Sequence, residues 1–137
     1  MTEENTAKAI GKDLPISTKI SIEVCNFIRG MPVQKAKIKL NDAINQTAAI
    51  PYKRFTRDLG HKRNIMAGRY PRNVCTYVLK LINLAEANAK NIGLKTDNLV
   101  INKLIANKAA RPWRYGRTRR IKMKRTHLEI AVSEGKK

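Results

Sequence analysis

The sequence predicts an α+β fold: three helices packed on a small antiparallel sheet, with a long extended β-hairpin arm. Three observations lead there. Three segments carry apolar residues at helical spacing, and two later segments have strand chemistry. Between those strands lies "KAARPWRYGRTRRIKMKR", residues 108–125, with nine Lys or Arg and no acid. Such a stretch repels itself and has almost nothing to bury. The 137 residues suit a single domain.

In chain order, "TAKAIGKDL" at 6–14 is the weaker strand candidate. "STKISIEVCNFIRG" follows, with Ser17 as the expected N-cap and Ile20, Val24, Phe27 and Ile28 on one face. Gly30 suits the position just past the helix end. "PVQKAKIKLNDAINQTAA" opens with Pro32 in a first-turn position. Its stripe is Val33, Ala36, Leu40, Ala43, Ile44 and Thr47. Lys35, Lys37 and Lys39 fall off that stripe, toward solvent or a polyanion.

Residues 50–72, "IPYKRFTRDLGHKRNIMAGRYPR", read as a long basic insertion loop. They hold seven Lys or Arg and one acid, Asp58. Tyr52, Phe55 and Tyr70 are expected to anchor it, and Gly60 and Gly68 to break regular structure. The third and longest helix is "PRNVCTYVLKLINLAEANAKNIG". Val74, Val78, Leu81, Ile82, Ala85 and Ala89 mark its buried face, and Gly93 ends it.

"NLVINKLIAN", 98–107, is rich in β-branched residues. "RTHLEIAV", 125–132, alternates with Leu128, Ile130 and Val132 on one face. The order is therefore β-α-α-loop-α-β-β. If pairing continues past the core, the arm spans about 103–125 with a tip near 114, roughly 35–40 Å at ~3.3 Å per residue. A two-stranded ribbon of that length is marginal in water. Ordering its backbone costs about 1–2 kcal/mol per residue, so order must come from a partner, and phosphate fits best.

Charge narrows the function. Lys and Arg number 29 against 10 acids, a net charge of +19, far beyond the needs of solubility. The expected partner is a polyanion, nucleic acid before membrane. No apolar run exceeds three residues, so no bilayer span and no membrane partner is expected. The acidic, polar opening "MTEENTAKAI" carries no signal-peptide pattern, which points to the cytosol. Cys25 and Cys75 lie outside metal-ligand spacing and are expected as buried free thiols.

The expected phosphate-facing groups are Lys53, Arg54, Arg57, His61, Lys62, Arg63, Arg69 and Arg72 in the loop. In the arm they are Lys108, Arg111, Arg114, Arg117, Arg119, Arg120, Lys122, Lys124 and Arg125. Arginine offers a planar fork for phosphate and stacks on bases. Trp113 and Tyr115 add flat faces, and Pro112 and Gly116 bracket them as in a tight tip. Catalysis has no support: His61 sits among cations, and His127 lies in the final strand. The acids show no paired or metal-ligand spacing. Glu23, Glu86 and Glu129 are expected on solvent faces or paired with Lys or Arg. No cofactor, metal or small-molecule substrate is expected. The cations fall in loops and a hairpin rather than along one recognition helix, which suits folded RNA better than a DNA groove.

These stretches carry a resemblance. "ISTKISIEVCNFIRGMPVQKAKIKL", "GRYPRNVCTYVLKLINLAEANAKNIGL" and "GRTRRIKMKRTHLEIAV" resemble, in order and spacing, the universal large-subunit ribosomal protein twenty-two family (protein seventeen in the older eukaryotic naming). The likeness runs from about residue 7 to 133. The loop "AIPYKRFTRDLGHKRNIMAGRYP" and "IANKAAR" resemble its archaeal and eukaryotic branch. The tip "RPWRYGR" departs, with an aromatic pair where many members carry other residues. The resemblance implies a structural ribonucleoprotein component that binds large-subunit ribosomal RNA, aids assembly and touches neighbouring ribosomal proteins. It also implies that the hairpin lines the nascent-polypeptide tunnel, with Arg111, Pro112, Trp113, Arg114, Tyr115, Gly116 and Arg117 facing the nascent chain. From the residues alone, a free-standing RNA-binding chaperone or regulator is the alternative.

Overall fold

The computed structural model describes residues 6–135; the acidic opening at 1–5 and the last two residues lie outside it. The order is β1 (Thr6–Leu14), α1 (Thr18–Ile28), α2 (Val33–Ile44), β2 (Ile50–Pro51), β3 (His61–Lys62), β4 (Met66–Arg69), α3 (Arg72–Ile92), β5 (Leu99–Lys108) and β6 (Thr126–Glu134). The α+β class, the three helices and the antiparallel sheet agree with the sequence.

The main sheet is antiparallel in the order β1-β6-β5. Helix α3 lies across β1 and β6, α1 lies against β5, and α2 packs on α3. The expected faces are the buried ones: Val24 and Ile28 on α1, Val33, Ala36, Leu40 and Ala43 on α2, Leu128, Ile130 and Val132 on β6. Where α3 crosses β1, both carry alanine at buried positions, Ala85 and Ala89 opposite a strand holding Ala7 and Ala9. Small side chains let the two backbones approach, and Asn88 Nδ2 donates to the Lys8 carbonyl at 2.9 Å.

Four expectations need correction. Thr47 lies beyond the end of α2 and is exposed. Its hydroxyl donates to the Asp42 carbonyl instead. Ser17 precedes α1 with extended backbone but its side chain makes no capping bond. Its carbonyl accepts from both the Ser21 hydroxyl and the Ser21 N–H. Gly68 does not break structure: it lies in β4, paired with Pro51. A Cβ there would sit 2.8 Å from Ile65 Cδ1 and 3.1 Å from the Ile50 carbonyl oxygen, so a larger residue would make the Ile65 side chain move and press on the Ile50 backbone. The 50–72 loop, finally, contains a second three-stranded sheet, β2-β4-β3.

The arm also differs in detail. Strand β1 pairs with β6 as far as Leu14↔Thr126, so the sheet stays three-stranded up to Lys108↔Thr126. The two-legged part begins at residue 109, later than the expected 103. Beyond that point the ladder is irregular. Backbone bonds join Ala109 N–H to Arg125 O, Met123 N–H to Pro112 O and Arg114 N–H to Ile121 O. The chain reverses in a 3-10 turn at Gly116–Thr118 rather than near 114. Gly116 adopts φ +70°, which glycine tolerates without strain.

Candidate nucleic-acid interface

Helix α1 is the hub on which both basic zones are fastened. At its start, the buried Thr126 hydroxyl donates to the Ile16 carbonyl at 2.9 Å. The Thr18 hydroxyl lies 2.9 Å from the same Thr126 oxygen. This ties the root of the arm to the N-terminal end of α1. One turn further on, Glu23 is buried at 2% exposure. Its carboxylate accepts the backbone N–H groups of Lys53 (3.1 Å), Arg54 (2.7 Å) and Phe55 (2.7 Å).

Glu23 therefore does not sit on a solvent face or pair with a cationic side chain, as its sequence context suggested. It stands beside Val24 on the buried side of α1, where the loop returns three N–H donors to it. The other two acids do pair. Glu86 meets Lys37 at 2.6 Å and Gln34 at 3.3 Å, and Glu129 lies 3.9 Å from Lys103. His127 serves the sheet: its Nδ1 accepts the N–H of Asp13, at the register shift in β1.

Within the loop, Tyr52 is buried, and its hydroxyl has no hydrogen-bond partner among the described residues. Burial pushes this phenol up to about 12, opposed by the Arg69 guanidinium. Phe55 is half-buried, with Lys19 Nζ 5.8 Å and Arg54 Cζ 5.3 Å from its ring centre. Lys62 lies 5.2 Å over Tyr70. Lys53, Arg54, Arg57, His61, Arg63, Arg69 and Arg72 are exposed, and Arg69 donates to the Asp58 carbonyl.

In the arm every residue from 110 to 122 is exposed. Its internal contacts are few. Lys122 lies 4.5 Å over the Trp113 ring, and Arg111 Nε donates to the Met123 carbonyl at 3.1 Å. Trp113 and Tyr115 are 59% and 86% exposed; Lys122 covers one face of the indole, and both rings keep accessible surface. Arg117, Arg119 and Arg120 line a shallow recess at the end of the finger with Ile121.

The fold joins part of each zone. A cleft of about 530 Å³ lies between the loop and α1, bounded by Ile20, Tyr52, Phe55, Leu59, Arg54, Arg57 and Arg69. A second, of about 480 Å³, is bounded by Ile22, Phe55, Lys108, Arg111 and Lys124. Ser17, Lys19 and Phe55 border both. Residues half the chain apart thus meet at the start of α1. His61, Lys62 and Arg63 border neither cleft, and Arg114, Arg117, Arg119 and Arg120 lie out along the finger. Sequence reasoning missed Lys19, which looks like an ordinary solvent-facing helical lysine, and the anchoring role of Glu23.

The arrangement suits binding of an anionic polymer: exposed cations for phosphate, solvent-accessible aromatic rings for bases and a folded body beneath. Among the described residues no group of three or more His, Cys, Asp or Glu side chains could hold a metal ion. No helix there is long and apolar enough to cross a membrane. Cys25 and Cys75 are buried free thiols, as expected. Burial pushes each to about 12.

Comparison with known proteins gives a consistent result. Residues 9–133 match the family described as Ribosomal protein L22p/L17e. The chain is 38% identical to the large ribosomal subunit protein uL22 of Nanoarchaeum equitans, over 97% of this chain and 81% of that protein. It is 38% identical to the protein of the same name from Methanoculleus marisnigri, over 96% of this chain and 91% of that one. The Sulfolobus acidocaldarius protein of that name is 35% identical over 96% of this chain and 92% of its own length.

Proposed function

This chain belongs to the ribosomal protein L22p/L17e family, and on that premise we propose that it is a structural constituent of the large ribosomal subunit in the cytoplasm. It binds large-subunit ribosomal RNA, aids assembly and contacts neighbouring ribosomal proteins. Its relatives carry the name of a large-subunit protein, and none is named as an enzyme. The observation that carries RNA binding is the meeting of two cationic zones at the start of α1, bordered by Lys19, Arg54, Arg57, Arg69, Lys108, Arg111 and Lys124.

The mechanism is electrostatic and geometric. The body folds on its own apolar stripes. The arm, exposed and self-repelling, takes its order from phosphate, which supplies counter-charge and a packing surface together. Each phosphate neutralised releases condensed counterions, so binding is strong at low salt and weakens as salt rises. The end of the finger, Pro112–Arg117 up to the reversal at Gly116–Thr118, faces the nascent chain in the tunnel, while Arg111 stands back at the root beside the second cleft.

Co-sedimentation tests this reading. A stoichiometric subunit component stays with the large particle through a gradient at moderate salt. Washing off the particle under those conditions would instead identify an exchangeable chaperone or regulator. For the tunnel role, a photoreactive group replacing Tyr115 should join to a stalled nascent chain. Crosslinks to RNA alone would remove that part of the account.

A further inference from the structure

We propose that the paired clefts around Phe55 receive a single-stranded turn of RNA, with one unpaired base turned in against the Phe55 ring. The inference rests on the RNA-binding reading and deepens it by naming the kind of RNA element taken at this place. Phe55 is the shared wall of the two clefts, together with Ser17 and Lys19. Both clefts, about 530 and 480 Å³, fall in the size range of ligand sites, roughly 300–1,000 Å³.

Their walls are not those of a plain phosphate cradle. Ile20, Tyr52 and Leu59 line the loop-side cleft and Ile22 the arm-side one; the charged lining is Lys19, Arg54, Arg57, Arg69, Lys108, Arg111 and Lys124 against one acid, Asp58. A paired A-form helix turns phosphates and ribose hydroxyls outward and keeps its bases stacked inside. It could meet the rim cations but leave the apolar walls empty. An unpaired base satisfies both, with its face on the ring and its flanking phosphates on the rims. Stacking of this kind tolerates any base, because every base has a π-face.

The construction beneath Phe55 points the same way. A buried carboxylate that takes three successive backbone N–H groups holds residues 53–55 in one conformation. An ordinary surface loop has no need of that. The ring it presents is already approached by Lys19 and Arg54. When a strand arrives, those two cations move to the phosphates on either side of the inserted base and leave a ring face to it.

The test uses the full-length protein and two RNA hairpins of equal length and charge. One stem carries a single-stranded bulge of two purines, and the other is fully paired. Fluorescence anisotropy at several salt concentrations should show the bulged RNA preferred by about five- to a hundredfold, the span of one base–aromatic stack. Phe55→Ala should lose the preference by weakening the bulged RNA far more than the paired stem, and Phe55→Tyr should retain it. Circular dichroism checks that each variant is folded. As a readout that needs no variant, a photoreactive nucleotide in the bulge should join to the peptide carrying Phe55. Equal affinity for both RNAs, a preference that survives Phe55→Ala, or crosslinks found only in the arm would overturn the inference and leave RNA binding standing. Failure to bind either RNA in a salt-dependent way would overturn the underlying reading as well.

Discussion

Glu23 Oε1, buried within α1, accepts the backbone N–H of Phe55 at 2.7 Å across 32 residues of sequence. The same oxygen accepts from Arg54, and Oε2 accepts from Lys53. Removing the carboxylate leaves three N–H donors without their acceptor, each costing about 1–3 kcal/mol if it stays buried. Glu23→Ala should therefore destabilise the protein by about 3–5 kcal/mol in urea unfolding. Glu23→Gln, which keeps one acceptor oxygen, should cost about 1–3 kcal/mol. A loss below about 0.5 kcal/mol for the alanine variant would show that solvent takes over these donors readily.

Removal of residues 109–120 should leave the body folded. The three-stranded sheet closes at Lys108↔Thr126, and all three helices lie outside the deletion. Helical circular dichroism should be unchanged within error. A large loss of that signal would contradict the division into body and arm.

Replacing Arg117, Arg119 and Arg120 together with alanine should weaken RNA binding and flatten its dependence on salt. If each contacts one phosphate, the log–log slope should fall by about 2–3. An unchanged slope would place the phosphate contacts elsewhere.

Alkaline stability follows from the buried groups. Burial raises Cys25 and Cys75 from 9.0 to about 12, and Tyr52 from 10.0 to about 12. A raised folded value means the protonated form is favoured by folding. That contribution is complete below about pH 9 and is lost as pH climbs toward 12, because the unfolded chain ionises first. The urea midpoint should fall across about pH 9 to 12, and less steeply in a Cys25→Ala, Cys75→Ala double variant. Equal pH slopes for the two proteins would count against the thiols. At pH 8 both thiols should resist alkylation until the chain is unfolded.

Much of this architecture was legible because its residues follow long periods. The stripe Val74–Val78–Leu81–Ile82–Ala85–Ala89 runs over several turns, and Leu128, Ile130 and Val132 alternate cleanly. The 50–72 loop was readable in charge but not in form: its strands are two to four residues long, too short for a period of two to show. Its conformation depends on Glu23, and nothing in "SIEVC" distinguishes that carboxylate from a solvent-facing one. Thr126 is similar, a lone hydroxyl whose partners Ile16 and Thr18 lie at the far end of the chain. The start of the arm was misplaced because β1, expected over 6–14, pairs with β6 as far as Thr126, and the register between strands at opposite ends of the chain is not written in either one's own pattern.

The account depends most on where the finger's order comes from. Hydrogen exchange of the arm amides, with and without large-subunit ribosomal RNA, measures this directly. In the free protein the N–H groups of Arg114 and Met123, bonded across an exposed ribbon, should exchange far faster than those of α3. Binding RNA should slow them by at least about a hundredfold while α3 changes little. Slow exchange of those amides in the protein alone, or no slowing on RNA binding, would contradict the account.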